Sequence, residues 1–88
     1  MIEKEITVTN SLGIHARPAS MIVQTATKYR SVISLEKDGI SADAKSIMSV
    51  MMLAAAHNAK VTIKADGEDE QDALQAVEQL FLKKFNEE

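Results

Sequence analysis

Apolar and polar residues alternate through Ile6-Thr7-Val8-Thr9, with Ile2 in the same phase, and this two-residue period predicts a first strand. Asn10-Ser11-Leu12-Gly13 has the residues of a loop. Ala19, Ile22, Val23 and Ala26 then recur at helical spacing, predicting a helix that runs to about Lys28. Pro18 falls in its first turn, where a missing N–H does no harm. Val32-Ile33-Ser34-Leu35 predicts a second strand, Asp38-Gly39 a two-residue hairpin turn, and Ile40 to Ala44 the return strand. Lys45-Ser46 opens a second helix, with the Ser46 hydroxyl as its N-cap. On that helix Val50, Leu53 and Ala54 share a face assigned to the core, and Asn58 suits a left-handed residue at the helix end. Val61, Ile63 and Ala65 alternate with Lys60, Thr62 and Lys64, predicting a fourth strand with one solvated face. Gly67-Glu68-Asp69-Glu70 reads as a turn followed by acids suited to a helix start. Leu74, Val77, Leu80, Phe81 and Phe85 mark a third amphipathic helix. The order β-α-β-β-α-β-α predicts a two-layer α+β domain, an antiparallel sheet with helices on one face.

Composition narrows the function classes. With 88 residues the chain predicts one domain, residues 1–88, with one modest core. Aromatic residues are only Tyr29, Phe81 and Phe85, so the core rests on aliphatic residues and methionine. A net charge of −3 argues against nucleic acid as the main partner. The absence of cysteine excludes disulfides, thiol nucleophiles and cysteine metal sites. No apolar run suits a signal peptide or a membrane span, so a soluble cytoplasmic protein is expected, with no membrane insertion.

The run Gly13-Ile14-His15-Ala16-Arg17-Pro18 carries the candidate chemistry. It sets an imidazole where the first helix begins. Ala16, the expected N-cap, has no side-chain oxygen for the first-turn N–H groups. A phosphoryl group on His15 could supply those oxygens, with the helix dipole favouring the anion. Arg17 adds a fork of donors suited to phosphate, and Pro18 shapes the helix start. The positive helix end also opposes protonation of the imidazole and keeps it nucleophilic. The plainer alternative is a loop histidine beside a solvated arginine.

The second helix holds two further candidates. Ser46 is either an ordinary cap or a phosphorylation site, since a helix N-terminus accommodates a phosphoserine. Ile47, Met48, Met51 and Met52 lie away from the assigned core face. They form either satellite core or an exposed docking surface, for which flexible methionines are suited. His57 reads as a surface histidine, and Lys28 and Lys45 as solvated lysines. Glu68, Asp69, Glu70 and Asp72 are too local a cluster to indicate a metal, and no cofactor is expected.

Gly13-Ile14-His15-Ala16-Arg17-Pro18 resembles the phosphorylation-site motif of HPr, the histidine-containing phosphocarrier family of the bacterial phosphotransferase system. Lys45-Ser46-Ile47-Met48 resembles that family's regulatory serine site, and Gly67-Glu68-Asp69-Glu70-Gln71 the turn before its last helix. The similarity spans nearly the whole chain. It implies an HPr-like open-faced β-sandwich, with a four-stranded antiparallel sheet covered on one face by three helices. It also implies that Enzyme I phosphorylates Nδ1 of His15, that Arg17 steadies the phosphoryl group, and that sugar-specific IIA components receive it. Ile47, Met48 and Met51 match positions that contact these partners. Ser46 matches the site of an ATP-dependent HPr kinase/phosphorylase, and through it a transcriptional regulator becomes a partner. Such a carrier is not an enzyme and is expected to be a monomer. Leu12 departs from the small polar residue common in the family, and Ser49, Ala54 and Asn58 also depart. The alternatives are a regulatory adaptor acting through phosphorylated Ser46, and an α+β interaction domain with no phosphorylation.

Overall fold

The two-residue and helical periods are realised as β1 (Ile2–Thr7), α1 (Ala16–Ala26), β2 (Val32–Lys37), β3 (Ile40–Asp43), α2 (Ile47–Met52), β4 (Lys60–Asp66) and α3 (Glu70–Leu82), followed by a terminal turn, Lys84–Asn86. The structure, a computed structural model, describes residues 1–87. The strands form one four-stranded sheet in the order β1-β4-β2-β3, antiparallel at each pairing. The α+β arrangement expected from the element order is therefore present. Register sets Ile6 opposite Val61 and Leu35 opposite Ile63. These side chains share the buried face with Val8, Ile33 and Ala65. The other face is wet, and there Lys64 and Glu36 pair at 2.8 Å.

All three helices cover the apolar face. α1 buries Ala19, Ile22 and Ala26, α2 buries Val50, and α3 buries Ala73, Val77 and Phe81. The β2–β3 hairpin turns through Asp38 (φ 52°) and Gly39 (φ 80°), the pair of left-handed residues that a type I′ turn requires.

Several expectations shift. The first helix ends at Ala26, and Thr27 and Lys28 form a turn. The second helix is only six residues long. Its end is closed by Lys37 Nζ, which donates to the Leu53 carbonyl at 3.2 Å. Leu53 is buried as expected, but Ala54 is exposed and left-handed (φ 51°), and Ala55 takes the core position instead. Asn58 is left-handed (φ 74°), yet it belongs to the turn entering β4 and not to the helix end. Leu74 and Leu80 sit only partly buried at the edge of the core. Phe85 lies beyond α3. It returns to the core through the terminal turn and meets Phe81 edge to face, with centroids 4.9 Å apart.

Asp69 departs from the expected helix-start role. It occupies the N-cap of α3 but makes no capping bond. Its carboxylate instead accepts from the Ser31 hydroxyl, from Arg30 N–H at 2.9 Å and from Ser31 N–H at 3.0 Å. The Ser31 hydroxyl, and then the backbone N–H groups, hold this carboxyl below its ordinary value. A depressed folded pKa stabilises the fold above the unfolded carboxyl value of ~3.9 and loses that contribution as pH falls through the folded value. Thermal unfolding of Asp69→Asn between neutral and strongly acidic pH should show lower stability than wild type near neutrality and a shallower acid decline. Parallel acid profiles for the two proteins would contradict this role.

Candidate functional site

The loop that presents His15 is shaped by backbone geometry before any chemistry is added. Gly13 is left-handed (φ 69°), and its N–H donates to the Asn10 carbonyl at 3.1 Å. The buried Asn10 amide donates from Nδ2 to the Gly13 carbonyl at 2.7 Å. Ile14 N–H donates to the Ala55 carbonyl at 2.8 Å, which fastens the loop to the segment after α2. Gly13 itself lies against Ala55 and Ala56, and a Cβ there would sit 2.5 Å from the Ala55 oxygen.

His15 is the N-cap of α1, with extended backbone (φ −100°, ψ −164°), so the cap stands one residue before the expected Ala16. The physical reason is that the His15 carbonyl already accepts the first helical bond, from Ala19 N–H at 2.9 Å, while its own backbone is not helical. Ala16 is the first helical residue. Among the described residues no side chain caps the helix. The Ala16 and Arg17 N–H groups therefore lack helical acceptors, and Pro18, buried in the first turn, has no N–H to satisfy. The vacant cap was expected at Ala16 for want of a side-chain oxygen; the cap residue is instead His15, whose side chain makes no capping bond.

The imidazole is partly covered. His15 Nε2 lies 2.8 Å from Glu87 Oε2, and the side chains are 37% and 12% exposed, respectively. Glu87 also accepts from Asn10 Nδ2 at 3.1 Å, through Oε1. His15 Nδ1 has no hydrogen bond among the described residues. A shallow hollow is lined by Ser11, Leu12, Arg17, Asn86 and Glu87, so the exposed Arg17 borders the same space as the residue whose carboxylate meets the ring. Sequence reasoning missed Glu87, which lies 72 residues from His15, and took Asn10 only as a loop residue.

Ser46 caps α2 as expected, its Oγ accepting from Ser49 N–H at 3.3 Å. Ile47, Met48, Met51 and Met52 are 43%, 70%, 40% and 77% exposed, which decides against satellite core. Leu12, in the His15 loop, is also exposed. Lys28 and His57 are exposed, whereas Lys45 is not simply solvated and donates to the Tyr29 carbonyl at 2.8 Å. Among the described residues no group of three or more His, Asp or Glu is placed to hold a metal, and no helix is long and apolar enough to cross a membrane.

Residues 2–83 match the family model described as the PTS HPr component phosphorylation site. The chain is 48% identical over 88 residues to phosphocarrier protein HPr of Xylella fastidiosa strain Temecula1, covering 100% of this chain and 99% of that one. It is 47% identical over 88 residues to phosphocarrier protein HPr of Treponema pallidum strain Nichols, with both chains covered at 100%. Among solved structures, HPr of Thermoanaerobacter tengcongensis superposes with a TM-score of 0.96 at 44% identity, covering 100% of this chain and 99% of that one.

Proposed function

The chain belongs to the HPr family, the phosphocarriers of the phosphotransferase system, and on that premise we propose that Nδ1 of His15 takes a phosphoryl group from Enzyme I and passes it to sugar-specific IIA components. HPr proteins are carriers and not enzymes, so the chemistry asked of this chain is to accept, hold and release. The observation that carries the reading is the histidine at an otherwise uncapped helix start, with one ring nitrogen engaged by Glu87 and the other without a hydrogen bond among the described residues.

Acceptance needs a nucleophile with an unoccupied lone pair. When Nε2 carries the proton and donates to Glu87, the Nδ1 lone pair is the one available. Holding the product needs donors for the phosphoryl oxygens. The N–H groups of Ala16 and Arg17 are at the helix start, and the helix dipole adds ~0.3–1 kcal/mol for an anion there. The Arg17 guanidinium supplies a further charged fork. This stabilisation is modest, as release to a second partner requires. Ile47, Met48, Met51 and Met52 supply the docking face, an exposed apolar patch of flexible side chains. Residues 1–88 act as one HPr domain, monomeric and cytoplasmic.

Incubation with Enzyme I and labelled phosphoenolpyruvate tests the reading. The expected label is acid-labile and alkali-stable, and it resides on His15. An unlabelled protein in the presence of competent Enzyme I overturns it.

Regulation at Ser46 is a second part of the proposal. Its hydroxyl is half-buried at the start of α2, next in sequence to the exposed Ile47 and Met48. Phosphorylation by an ATP-dependent HPr kinase would add about −1.5 to −2 charges beside the docking face and leave the fold intact. Ser46→Asp, with one added negative charge, should slow phosphoryl uptake from Enzyme I several-fold through KM, and Ser46→Ala should match wild-type uptake while losing acid-stable label from ATP and kinase. Uptake by Ser46→Asp at the wild-type rate would contradict the inhibitory role.

A further inference from the structure

With no cysteine in the chain, its five methionines carry all the sulfur. Three of them, Met48, Met51 and Met52, stand on the six residues of α2. Met48 and Met52 are the most open of the three, at 70% and 77% exposed, and a spacing of four residues sets them on one side of the helix. By contrast Met21, on α1, is partly buried against the core. Met1 is as open as Met48 but lies just before β1, where its ammonium group pairs with Glu70 at 3.2 Å and Asp66 at 3.5 Å. The outer side of α2 tolerates change. The helix buries only Val50, and its two ends are tied by the Ser46 hydroxyl and by Lys37 at the Leu53 carbonyl. A thioether in contact with water is open to two-electron oxidation, and the sulfoxide is polar where the thioether was apolar.

We propose that Met48 and Met52 form a reversible oxidation site, and that their sulfoxides weaken docking of Enzyme I on α2. The inference rests on the reading of α2 as the docking face. In the oxidising step a sulfur lone pair attacks one oxygen of hydrogen peroxide. The S–O bond forms and the O–O bond breaks, with its electron pair on the departing oxygen. The proton of the transferred oxygen passes to the departing hydroxide, so one sulfoxide and one water result. Sulfur loses two electrons and peroxide gains them. Return takes a dithiol reductant. Methionine sulfoxide reductases, one for each sulfoxide epimer, release the oxygen as water while two thiols become a disulfide. In the free protein the new oxygen is hydrated, so the fold loses little. In the complex it stands where a partner would cover an apolar side chain, and burying it without a donor is unfavourable. The loss therefore falls on docking and not on the transfer chemistry.

The test treats the full chain alone with hydrogen peroxide, removes the peroxide with catalase, and then measures phosphoryl uptake from phosphorylated Enzyme I. Peptide mass spectrometry should find the added oxygen first on Met1, Met48 and Met52, and last on Met21. The KM of the oxidised chain should rise about tenfold, the scale of one large apolar side chain left unburied, with kcat within about twofold. The unfolding midpoint should move by less than about 4 °C, as for a surface substitution. Dithiothreitol with both reductases should restore the starting KM. Each variant is compared with itself before and after peroxide. Met48→Leu/Met52→Leu should lose most of the response, because both thioethers are gone and the side chains stay apolar. Met1 should still gain oxygen in that variant, which separates position on α2 from exposure alone. Met48→Gln/Met52→Gln, polar without oxidation, should start with a raised KM. Met48 and Met52 oxidised no faster than Met21, or a full response in the double leucine variant, overturns the proposal. If the glutamine variant nonetheless has a raised KM, the docking reading stands without the oxidation site. A wild-type KM in both the oxidised chain and the glutamine variant overturns both.

Discussion

A protein carrying His15→Ala is expected to take no acid-labile label from Enzyme I and phosphoenolpyruvate while unfolding close to the wild-type temperature. The loss is total because the substitution removes the acceptor atom itself. His57, the other histidine, is exposed and lacks the arginine and proline that follow His15 in the chain. Stability changes little for three reasons. The His15 side chain makes no capping bond, so none is lost. The ring is 37% exposed and contributes little core. Its contact with Glu87 is a partly exposed pair, for which ~0–1 kcal/mol is ordinary. At about 4–8 °C per kcal/mol for a domain of this size, the unfolding midpoint should fall by less than ~8 °C. Circular dichroism melting and acid-lability of the label check the two halves. Acid-labile label on His15→Ala would place the acceptor elsewhere.

Gly13→Ala is expected to be the most damaging single-methyl change in the site loop. The new Cβ would meet the Ala55 oxygen at 2.5 Å and the Ala56 Cα at 2.8 Å. Both are backbone atoms, which cannot rotate away. The residue is also left-handed, at φ 69°. Left-handed strain of ~1–2 kcal/mol and overpacking of ~1–3 kcal/mol together give about 2–5 kcal/mol. The midpoint should therefore drop by roughly 10 °C or more. The only relief is to move the loop from the segment after α2, which breaks the Ile14 to Ala55 bond and displaces His15. Phosphoryl uptake should fall with stability. Gly39→Ala is the control. Its φ of 80° brings strain, but nothing lies within 4 Å of the added methyl. It should lose only the strain, about 1 kcal/mol, and leave uptake unchanged. Equal midpoints for the two variants would contradict the steric account.

The parts of this fold legible in the sequence were those set by local periodicity and turn chemistry. The strands at Ile6 and Val61, the Asp38-Gly39 hairpin, and the Ser46 cap each follow from a short run of residues. The element order then leaves one face of the sheet for the helices. What local pattern could not supply was anything set by distant contact. Seven consecutive apolar residues, Val50 to Ala56, gave no sign that Lys37, from the opposite end of a hairpin, closes the second helix at Leu53. Ala54 was assigned to the core by helical spacing that the chain abandons one residue earlier. Asp69 looked like a helix-start acid, yet its carboxylate serves Arg30 and Ser31, 39 and 38 residues away.

The site divides in the same way. His15, Arg17 and Pro18 were visible because they are neighbours in sequence. Their helix was placed correctly, but the cap was not, since His15 and Ala16 differ in backbone conformation and not in any composition rule. Glu87 was invisible because a left-handed turn, formed without glycine, returns it to the loop.

The central claim is that the phosphoryl group rests on Nδ1 of His15, with Nε2 protonated. Nitrogen-15 NMR of histidine-labelled protein, phosphorylated by Enzyme I, tests it most directly. The account predicts phosphorus coupling to Nδ1 of His15 alone, with Nε2 retaining its proton. Coupling to Nε2, or phosphorus bound to any other residue after this treatment, would contradict it.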